Sequence, residues 1–286
     1  MVITGTCGNI TSNVAVLTVN TAPAITSQPA NLALCPGSNA TFAVTATGTG
    51  LTYQWRKNSA SIAGATGASY TINNIVAGDA GSYDVVITGT CGNLTSNAAT
   101  LTVNTPPAIT GQPASLVLCP GSNATFTVTA TGTGLTYQWR KDGANIAGAT
   151  AASYTINNIV AGSAGNYDVV VTGTCGNATS NIATLTVNTP PAITGQPASL
   201  ALCPGSNATF TVTATGTGLT YQWRKNSANI AGATGASYTI NNIVAGDAGN
   251  YDVVITGTCG SVTSNIATLT VNTPPAITGQ PANLAL

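Results

Sequence analysis

The stretch Leu51-Thr52-Tyr53-Gln54-Trp55-Arg56-Lys57 decides the fold of this chain. The same seven residues return at 135–141 and at 219–225, each time after a shift of 84 positions. Side chains of a β-strand alternate between its two faces, so Leu51, Tyr53 and Trp55 share one face and the polar residues between them share the other. The stretch therefore predicts a half-buried strand with a large aromatic residue at its centre.

The 84-residue period extends over nearly the whole chain, and such a repeat is a better guide to domain number than length. Three nearly identical copies occupy residues 21–104, 105–188 and 189–272. Residues 1–20 match the last hairpin and final strand of a copy, and residues 273–286 match the first strand of another. We expect one of two explanations: the sequence is a window from a longer array, or the end strands pair with a neighbouring chain.

Charge is scarce in this sequence. Six basic residues balance six acidic ones, all of them Asp, and the chain has neither Glu nor His. The absence of a basic patch argues against nucleic acid as a partner. No apolar run approaches the roughly 18 residues of a membrane span, and no secretory signal is visible. With few charges to repel neighbouring molecules, we expect self-association, head to tail and laterally, while the sequence identifies no ligand.

Each copy contains about seven short stretches with strand alternation, and none has convincing helical periodicity. In the first copy, turns at Pro36-Gly37-Ser38, Gly48-Thr49-Gly50 and Asp79-Ala80-Gly81 separate the stretches. Seven short strands in 84 residues predict an all-β fold in which each copy is a two-sheet sandwich. Short linkers such as Thr105-Pro106-Pro107 join the copies, and proline pairs favour a stiff, extended backbone. We therefore expect the sandwiches to be arranged as a rod.

Trp55, followed by the run Asp79-x-Gly81-x-Tyr83-x-Val85, resembles an immunoglobulin-like domain, nearest the intermediate-set kind. The resemblance implies that Trp55 is the core tryptophan and that Tyr83 closes a corner of the sandwich. The corresponding residues of the other copies are Trp139 and Tyr167, and Trp223 and Tyr251. The inter-sheet disulfide of that family would join positions 44 and 85, which are both Val here. Tandem units with this cysteine placement look like those of large secreted bacterial surface proteins, which implies an extracellular or cell-surface location.

The same alternation predicts an ion pair in every copy. If Trp55 faces Val85 across antiparallel strands, Arg56 faces Asp84 on the outer surface. The matching pairs are Arg140 with Asp168 and Arg224 with Asp252. An exposed cross-strand ion pair contributes only about 0.2–1 kcal/mol, and we interpret these charges as structural rather than as a ligand site.

The seven cysteines fall into two sets. The set that precedes the Pro-Gly turn after the first strand consists of Cys35, Cys119 and Cys203. The set in the last hairpin consists of Cys7, Cys91, Cys175 and Cys259. Without a CxxC spacing or any His, the sequence offers no zinc site, and we expect neither a metal nor another cofactor. Disulfides in an oxidising, extracellular setting are the favoured interpretation, with free buried thiols as the alternative.

The implied immunoglobulin-like topology limits which cysteines can pair. It places Cys35 at the same end of the sandwich as Tyr83, whereas Cys91 lies eight residues further along its strand, or roughly 26 Å at about 3.3 Å per residue. A disulfide needs Cα atoms within about 7 Å. Since the end of one copy abuts the start of the next, we predict interdomain disulfides between Cys35 and Cys175 and between Cys119 and Cys259. Three cysteines then stay unpaired within this chain: Cys7, Cys91 and Cys203. A Cys35–Cys91 bond is the alternative, and it would require a different strand order.

Nothing in the sequence supports catalysis. Without His or Glu, and with single, scattered Asp residues, there is no paired carboxylate and no catalytic triad. Asp79 becomes Ser163 in the second copy, which fits a turn-capping role better than a metal ligand. Asn39-Ala40-Thr41 and its copies match the N-glycosylation pattern, although that pattern arises often by chance in a chain so rich in Asn and Thr.

We therefore expect this chain to be no enzyme but a structural segment of a secreted, repetitive extracellular filament or stalk. Its stiffness would come from the short proline linkers and the interdomain disulfides. The alternative is an adhesin stalk that presents a ligand-binding tip, or a repeated module with weak binding sites of its own.

Overall fold

The computed structural model describes residues 1–280 of the chain. Its regular structure consists of β-strands and three short 3-10 helices, counted over those residues. The helices are Ala77–Asp79, Ala161–Ser163 and Ala245–Asp247. The strand alternation in the sequence is therefore realised as an all-β fold in each of the three repeats.

The first repeat has two layers of strands. One layer is a sheet with the strand order Leu32–Leu34, Ala99–Val103, Gly81–Gly89, Thr52–Lys57, Ala60–Ser61, and Gly92–Thr95 pairs separately with Gly81–Gly89. The other layer contains two antiparallel pairs, Ala24–Ser27 with Thr45–Thr47 and Ala40–Ala43 with Ser69–Ile72. Within the first layer, Leu32–Leu34 runs parallel to Ala99–Val103, and the other pairings are antiparallel.

The same strands recur in the other two repeats. In the second repeat they are Ala108–Gly111, Leu116–Leu118, Ala124–Thr127, Thr129–Thr131, Thr136–Lys141, Ala144–Asn145, Ser153–Ile156, Gly165–Gly173, Gly176–Thr179 and Ala183–Val187. In the third they are Ala192–Gly195, Leu200–Leu202, Ala208–Thr211, Thr213–Thr215, Thr220–Lys225, Ala228–Asn229, Ser237–Ile240, Gly249–Gly257, Gly260–Thr263 and Ala267–Val271. A hairpin of Val2–Gly5 and Gly8–Thr11 precedes the first repeat.

The register of the tryptophan strand agrees with the alternation in the sequence. Trp55 lies opposite Val85 and Arg56 lies opposite Asp84, so the predicted pairing is confirmed. Nε of Arg56 donates a hydrogen bond to Oδ1 of Asp84, and one terminal nitrogen of Arg56 donates to Oδ2, both at 2.7 Å. The matching bidentate pairs form in the other repeats between Arg140 and Asp168 and between Arg224 and Asp252.

The core of the first repeat is built around the indole of Trp55. This side chain has no exposed surface, and its Nε1 donates a hydrogen bond of 2.9 Å to the carbonyl oxygen of Gly67. Phe42 stacks on Tyr83 with 4.6 Å between the ring centroids. Val44 and Val85, which stand where the resemblance implied a disulfide, are both buried in this core. The sandwich is therefore held by apolar packing at that position.

Tyr83 closes the corner that follows the 3-10 helix. Its hydroxyl donates a hydrogen bond of 2.7 Å to the carbonyl oxygen of Asp79, and burial, reinforced by the charge of Asp79, raises the pKa of Tyr83 to about 12. The carboxylate of Asp79 accepts a hydrogen bond from the backbone N–H of Val76, and in the second repeat the hydroxyl of Ser163 accepts the same bond. The predicted turn-capping role of this position is confirmed.

Each full repeat has ten strand segments rather than the expected seven. The first strand is broken around Pro29, and the second is broken at Val44, where the chain passes from pairing with Ser69–Ile72 to pairing with Ala24–Ser27. The last strand is divided into Gly92–Thr95 and Ala99–Val103. The additional segments come from interruptions of the expected strands and from the short strand Ala60–Ser61.

The partial repeats at the two ends are structured differently from full ones. Residues 1–20 form the expected hairpin, but the expected final strand is absent there. In the first full repeat that strand, Ala99–Val103, pairs with Gly81–Gly89 and Leu32–Leu34, and residues 1–20 contain no equivalent of Leu32–Leu34. Residues 273–280 contain no strand either, and the rest of the expected first strand, 281–286, lies outside the described residues.

The chain divides by spatial proximity into two compact units. The first comprises residues 1–110, 130–136 and 171–178, and the second comprises 111–129, 137–170 and the residues from 179 onward. The first and third repeats each belong to one unit, whereas the second repeat contributes to both. The domain boundaries expected from the 84-residue period therefore remain a prediction.

Candidate functional site

The candidate functional site is the joint between consecutive repeats, which occurs once in each unit. In the first unit, Cys35 of the first repeat and Cys175 of the second form a disulfide with 5.5 Å between their Cα atoms. In the second unit, Cys119 of the second repeat and Cys259 of the third form a disulfide with the same Cα separation. Both bonds join residues 140 positions apart. The structure thus brings together the two pairs that were predicted.

Local sequence explains how the paired cysteines are positioned. Cys35 directly follows the strand Leu32–Leu34 and accepts, through its backbone carbonyl, a hydrogen bond from the N–H of Ser38 across the Pro-Gly turn. Cys175 lies in the two-residue turn that connects Gly165–Gly173 with Gly176–Thr179. One cysteine therefore stands at a strand end and the other at a hairpin tip, where a side chain projects without disturbing the core.

A threonine network holds the linker of the first joint. The N–H of Thr105 donates to the hydroxyl of Thr133, and the N–H of Thr133 donates back to the carbonyl oxygen of Thr105, both at 2.9 Å. The carbonyl oxygen of Thr133 in turn accepts a hydrogen bond from the N–H of Thr174, the neighbour of Cys175. The network thus connects the linker to the turn at Thr133 and, through Thr174, to the hairpin tip that carries Cys175.

The second joint repeats this network in the second unit. Thr189 and Thr217 exchange the same two hydrogen bonds, and the N–H of Thr258, next to Cys259, donates to the carbonyl oxygen of Thr217. The network was not predicted from the sequence, although its three threonines recur every 84 residues beside the Pro-Pro, Gly-Thr-Gly and cysteine positions. That recurrence beside the linker is the signal by which it could have been found.

Glycine is required where the linker packs on the second repeat. Gly132 has a φ of 147°, and a Cβ atom placed on it would come within 2.9 Å of the Cα of Pro107 and 2.8 Å of the side chain of Leu135. A larger residue at position 132 would therefore displace the proline linker. Gly216 meets Pro191 in the same way in the second unit.

The remaining three cysteines are free and exposed: Cys7, Cys91 and Cys203. Cys91 lies in surroundings like those of the paired hairpin cysteines, because Thr21, Thr49 and Thr90 form the same network next to it. The other predicted site residues are core residues, since the side chains of Trp139, Trp223, Tyr167 and Tyr251 are buried like those of Trp55 and Tyr83.

Two other kinds of site, a metal-ligand cluster and a membrane-spanning helix, are absent from the described residues. Within residues 1–280, no group of three or more His, Cys, Asp or Glu side chains is placed to hold a metal ion. Over the same residues, no helix is long and apolar enough to cross a membrane. A shallow cavity of about 320 Å³ lies beside the ion pair of the second repeat, lined by Asp142, Gly143, Asn166, Asp168 and Ile182.

Comparison with known proteins supports the immunoglobulin-like fold. The family model described as immunoglobulin domain matches residues 190–256, and a model described as a domain of unknown function matches residues 110–189. Among solved structures, the fragment I67–I69 from titin superposes with a TM-score of 0.71 at 20% identity, covering 90% of this chain and 100% of the fragment. Within the described residues, the chain thus consists of three tandem immunoglobulin-like sandwiches and flanking segments.

Similar proteins in sequence come from bacteria and animals. Exoglucanase B of Cellulomonas fimi is 26% identical over 259 residues, which is 82% of this chain and 24% of that enzyme. Hemicentin-1 of Mus musculus is 26% identical over 287 residues, which is 91% of this chain and 5% of hemicentin-1. The chain therefore spans no more than a quarter of the length of these relatives.

Proposed function

We propose that this chain is a non-enzymatic, stiff segment of an extracellular filament or stalk, built from intermediate-set-like immunoglobulin repeats of a secreted bacterial surface protein. The observation that carries the proposal is the covalent bond across each joint, from Cys35 to Cys175 and from Cys119 to Cys259. A disulfide between repeats restricts their relative motion, and such bonds persist in oxidising, extracellular surroundings. The threonine network also fixes the linker of each joint to the repeat that follows it, and proline stiffens that linker.

Self-association fits the same proposal. Near-identical repeats present the same surface at every 84-residue step, and the low charge leaves little repulsion between neighbouring molecules. We infer head-to-tail and lateral contacts between chains of this kind, assembled as a rod. Nucleic acid, a metal and a cofactor have no place in this proposal.

A second candidate function is a repeated module with weak binding sites of its own. The cavity beside Asp168 favours it, because a smaller one of about 180 Å³ lies at the matching place in the third repeat, lined in part by Asn226, Asn250 and Ile266. An adhesin stalk with such sites, or with a ligand-binding tip beyond this segment, would still need stiff joints.

Non-reducing peptide mapping with trypsin tests the disulfide pairing on which the proposal depends. Trypsin cleaves after Lys and Arg, and the only such residues are the three Arg-Lys pairs at positions 56–57, 140–141 and 224–225. Under non-reducing conditions, the predicted bonds link peptide 1–56 to 142–224 and peptide 58–140 to 226–286. Bonds within single repeats would instead link neighbouring peptides, beginning with 1–56 and 58–140, and would refute the proposed pairing.

Negative-stain electron microscopy tests the stiffness itself. We expect oxidised chains, with Cys7, Cys91 and Cys203 replaced by Ser to prevent exchange, to show a narrow distribution of angles between consecutive repeats. Reduction should broaden that distribution. Equally broad distributions before and after reduction would contradict a stiff stalk, and a distinct globular tip on native material would favour the adhesin.

A further inference from the structure

We propose that the two disulfides interlock the repeats so that most of the chain is shielded from tension, which limits how far the chain extends when it is pulled. The bonds join Cys35 to Cys175 and Cys119 to Cys259, and Cys119 lies between Cys35 and Cys175 in the sequence. The two covalent loops therefore overlap instead of following one another. The biological role of this limit rests on the proposed structural function, whereas the limit itself depends only on the bonds.

Tension applied to the two ends follows the shortest covalent path. That path runs along residues 1–35, crosses to Cys175, returns through the second repeat to Cys119, and crosses to Cys259 before it continues to the end. Residues 36–118 and 176–258 lie outside the path. Of the 286 residues, about 120 carry the tension once the molecule is taut. Within the second repeat, the path runs from Cys175 back to Cys119, opposite to the order of the sequence.

The shielded residues include the strands at both ends of the second repeat. The first strand, Ala108–Gly111, and the last strand, Ala183–Val187, both lie outside the shortest path, as does Leu116–Leu118, which pairs in parallel with Ala183–Val187. Without the disulfides, tension would reach the second repeat through its first and last strands. With the bonds intact, it reaches that repeat at Cys175 and Cys119 instead. Unfolding of the shielded parts then releases no length to the pulled ends.

The expected extension follows from the length of the path. A fully extended chain spans about 3.5 Å per residue, so the reduced chain reaches about 1000 Å between its ends and the doubly bonded chain about 420 Å. Removing either disulfide alone leaves a path of about 510 Å, because each remaining bond still bypasses 139 residues. The second removal then adds far more length than the first, which is the signature of overlapping loops.

Single-molecule force spectroscopy on the full chain, held by handles at its two ends, measures these contour lengths. All variants carry Ser at positions 7, 91 and 203 so that the free cysteines cannot exchange. We expect about 420 Å for this background, about 510 Å for each of the added pairs C35S/C175S and C119S/C259S, and about 1000 Å after reduction. Once the bonds have formed, the final contour length does not depend on how stable the folded variant is, since the taut chain is unfolded.

Two results would overturn the inference. A single bond between Cys119 and Cys175, the within-repeat alternative in this background, would give about 800 Å. A length of about 1000 Å without reductant would mean that no bond forms. If the lengths agree but electron microscopy shows freely bending joints, the interlocked path stands and the proposed stiff stalk fails.

Discussion

Replacing Cys35 and Cys175 together with Ser should destabilise the first repeat by about 4 kcal/mol while the third repeat keeps its stability. The change removes one of the two bonds between repeats and leaves the core around Trp55 intact. Because each repeat has its own core, the relevant event is the unfolding of one repeat beside a folded neighbour.

The magnitude follows from the loop that the bond closes. When the first repeat unfolds beside a folded second repeat, residues 36–104 become a loop held at one end by Cys175 and at the other by the linker. On the chain-entropy model, closing a loop of about 70 residues lowers the entropy of the unfolded state by an amount equivalent to about 4 kcal/mol. Residues 189–272 lie outside this loop, and the third repeat therefore serves as an internal control.

Amide hydrogen exchange read by mass spectrometry resolves the repeats separately. The amides of the strand Gly81–Gly89 exchange chiefly through unfolding of the first repeat, so a loss of about 4 kcal/mol accelerates them by about 1000-fold. The equivalent strand Gly249–Gly257 should exchange at its original rate. Cys91→Ser is the matched control, since it removes an exposed cysteine that forms no bond. Equal exchange of Gly81–Gly89 in the double variant and in this control would refute the reasoning.

Two further predictions concern the tyrosine corner and the linker. The pKa of Tyr83 rises to about 12 on folding from about 10 in the unfolded chain. The neutral hydroxyl therefore makes its full contribution to the free energy of unfolding below pH 10, and this contribution is lost as the pH rises through 12. Circular dichroism during an alkaline titration should show unfolding in that window, and Tyr83→Phe should lower the pH dependence; an unchanged profile in the variant would contradict this. Gly132→Ala should destabilise the chain by about 1–3 kcal/mol in denaturant unfolding, because it forces a residue with φ of 147° against Pro107. Gly162→Ala, which meets no atom within 4 Å, is the control and should change stability by less than about 0.5 kcal/mol; equal effects of the two changes would argue against packing of the linker on Gly132.

The fold was accessible from the sequence because its strongest signals are local and repeated. Once Trp55 is taken to face Val85, the alternation places Arg56 opposite Asp84, and the structure has both pairs in register. The breaks in the strands were harder to predict. The second strand breaks at Val44 because the residues on its two sides pair with different strands, Ser69–Ile72 and Ala24–Ser27, and such partners are far away in sequence.

The joints were accessible only in part. The cysteine pairs followed from the implied topology and from the 7 Å limit on disulfide geometry, which excludes a bond along the length of one sandwich. The threonine network was missed because hydroxyl groups have weak and permissive preferences for partners. Thr105, Thr133 and Thr174 are distant in sequence and meet only once the second repeat is folded.

The position of the disulfides changes what stabilises a single repeat. A bond between positions 44 and 85 would close a loop of about 40 residues inside one sandwich and contribute about 4 kcal/mol to that sandwich alone. Here both positions are buried Val, and the sulfur atoms lie at the joints instead. A bond at the joint closes a loop of about 70 residues and contributes a similar free energy, but only while the neighbouring repeat is folded. Moving the cysteines from the core to the ends therefore leaves the magnitude of the stabilisation nearly unchanged and makes each repeat depend on its neighbour, which is the property that a continuous stalk needs and an isolated domain does not.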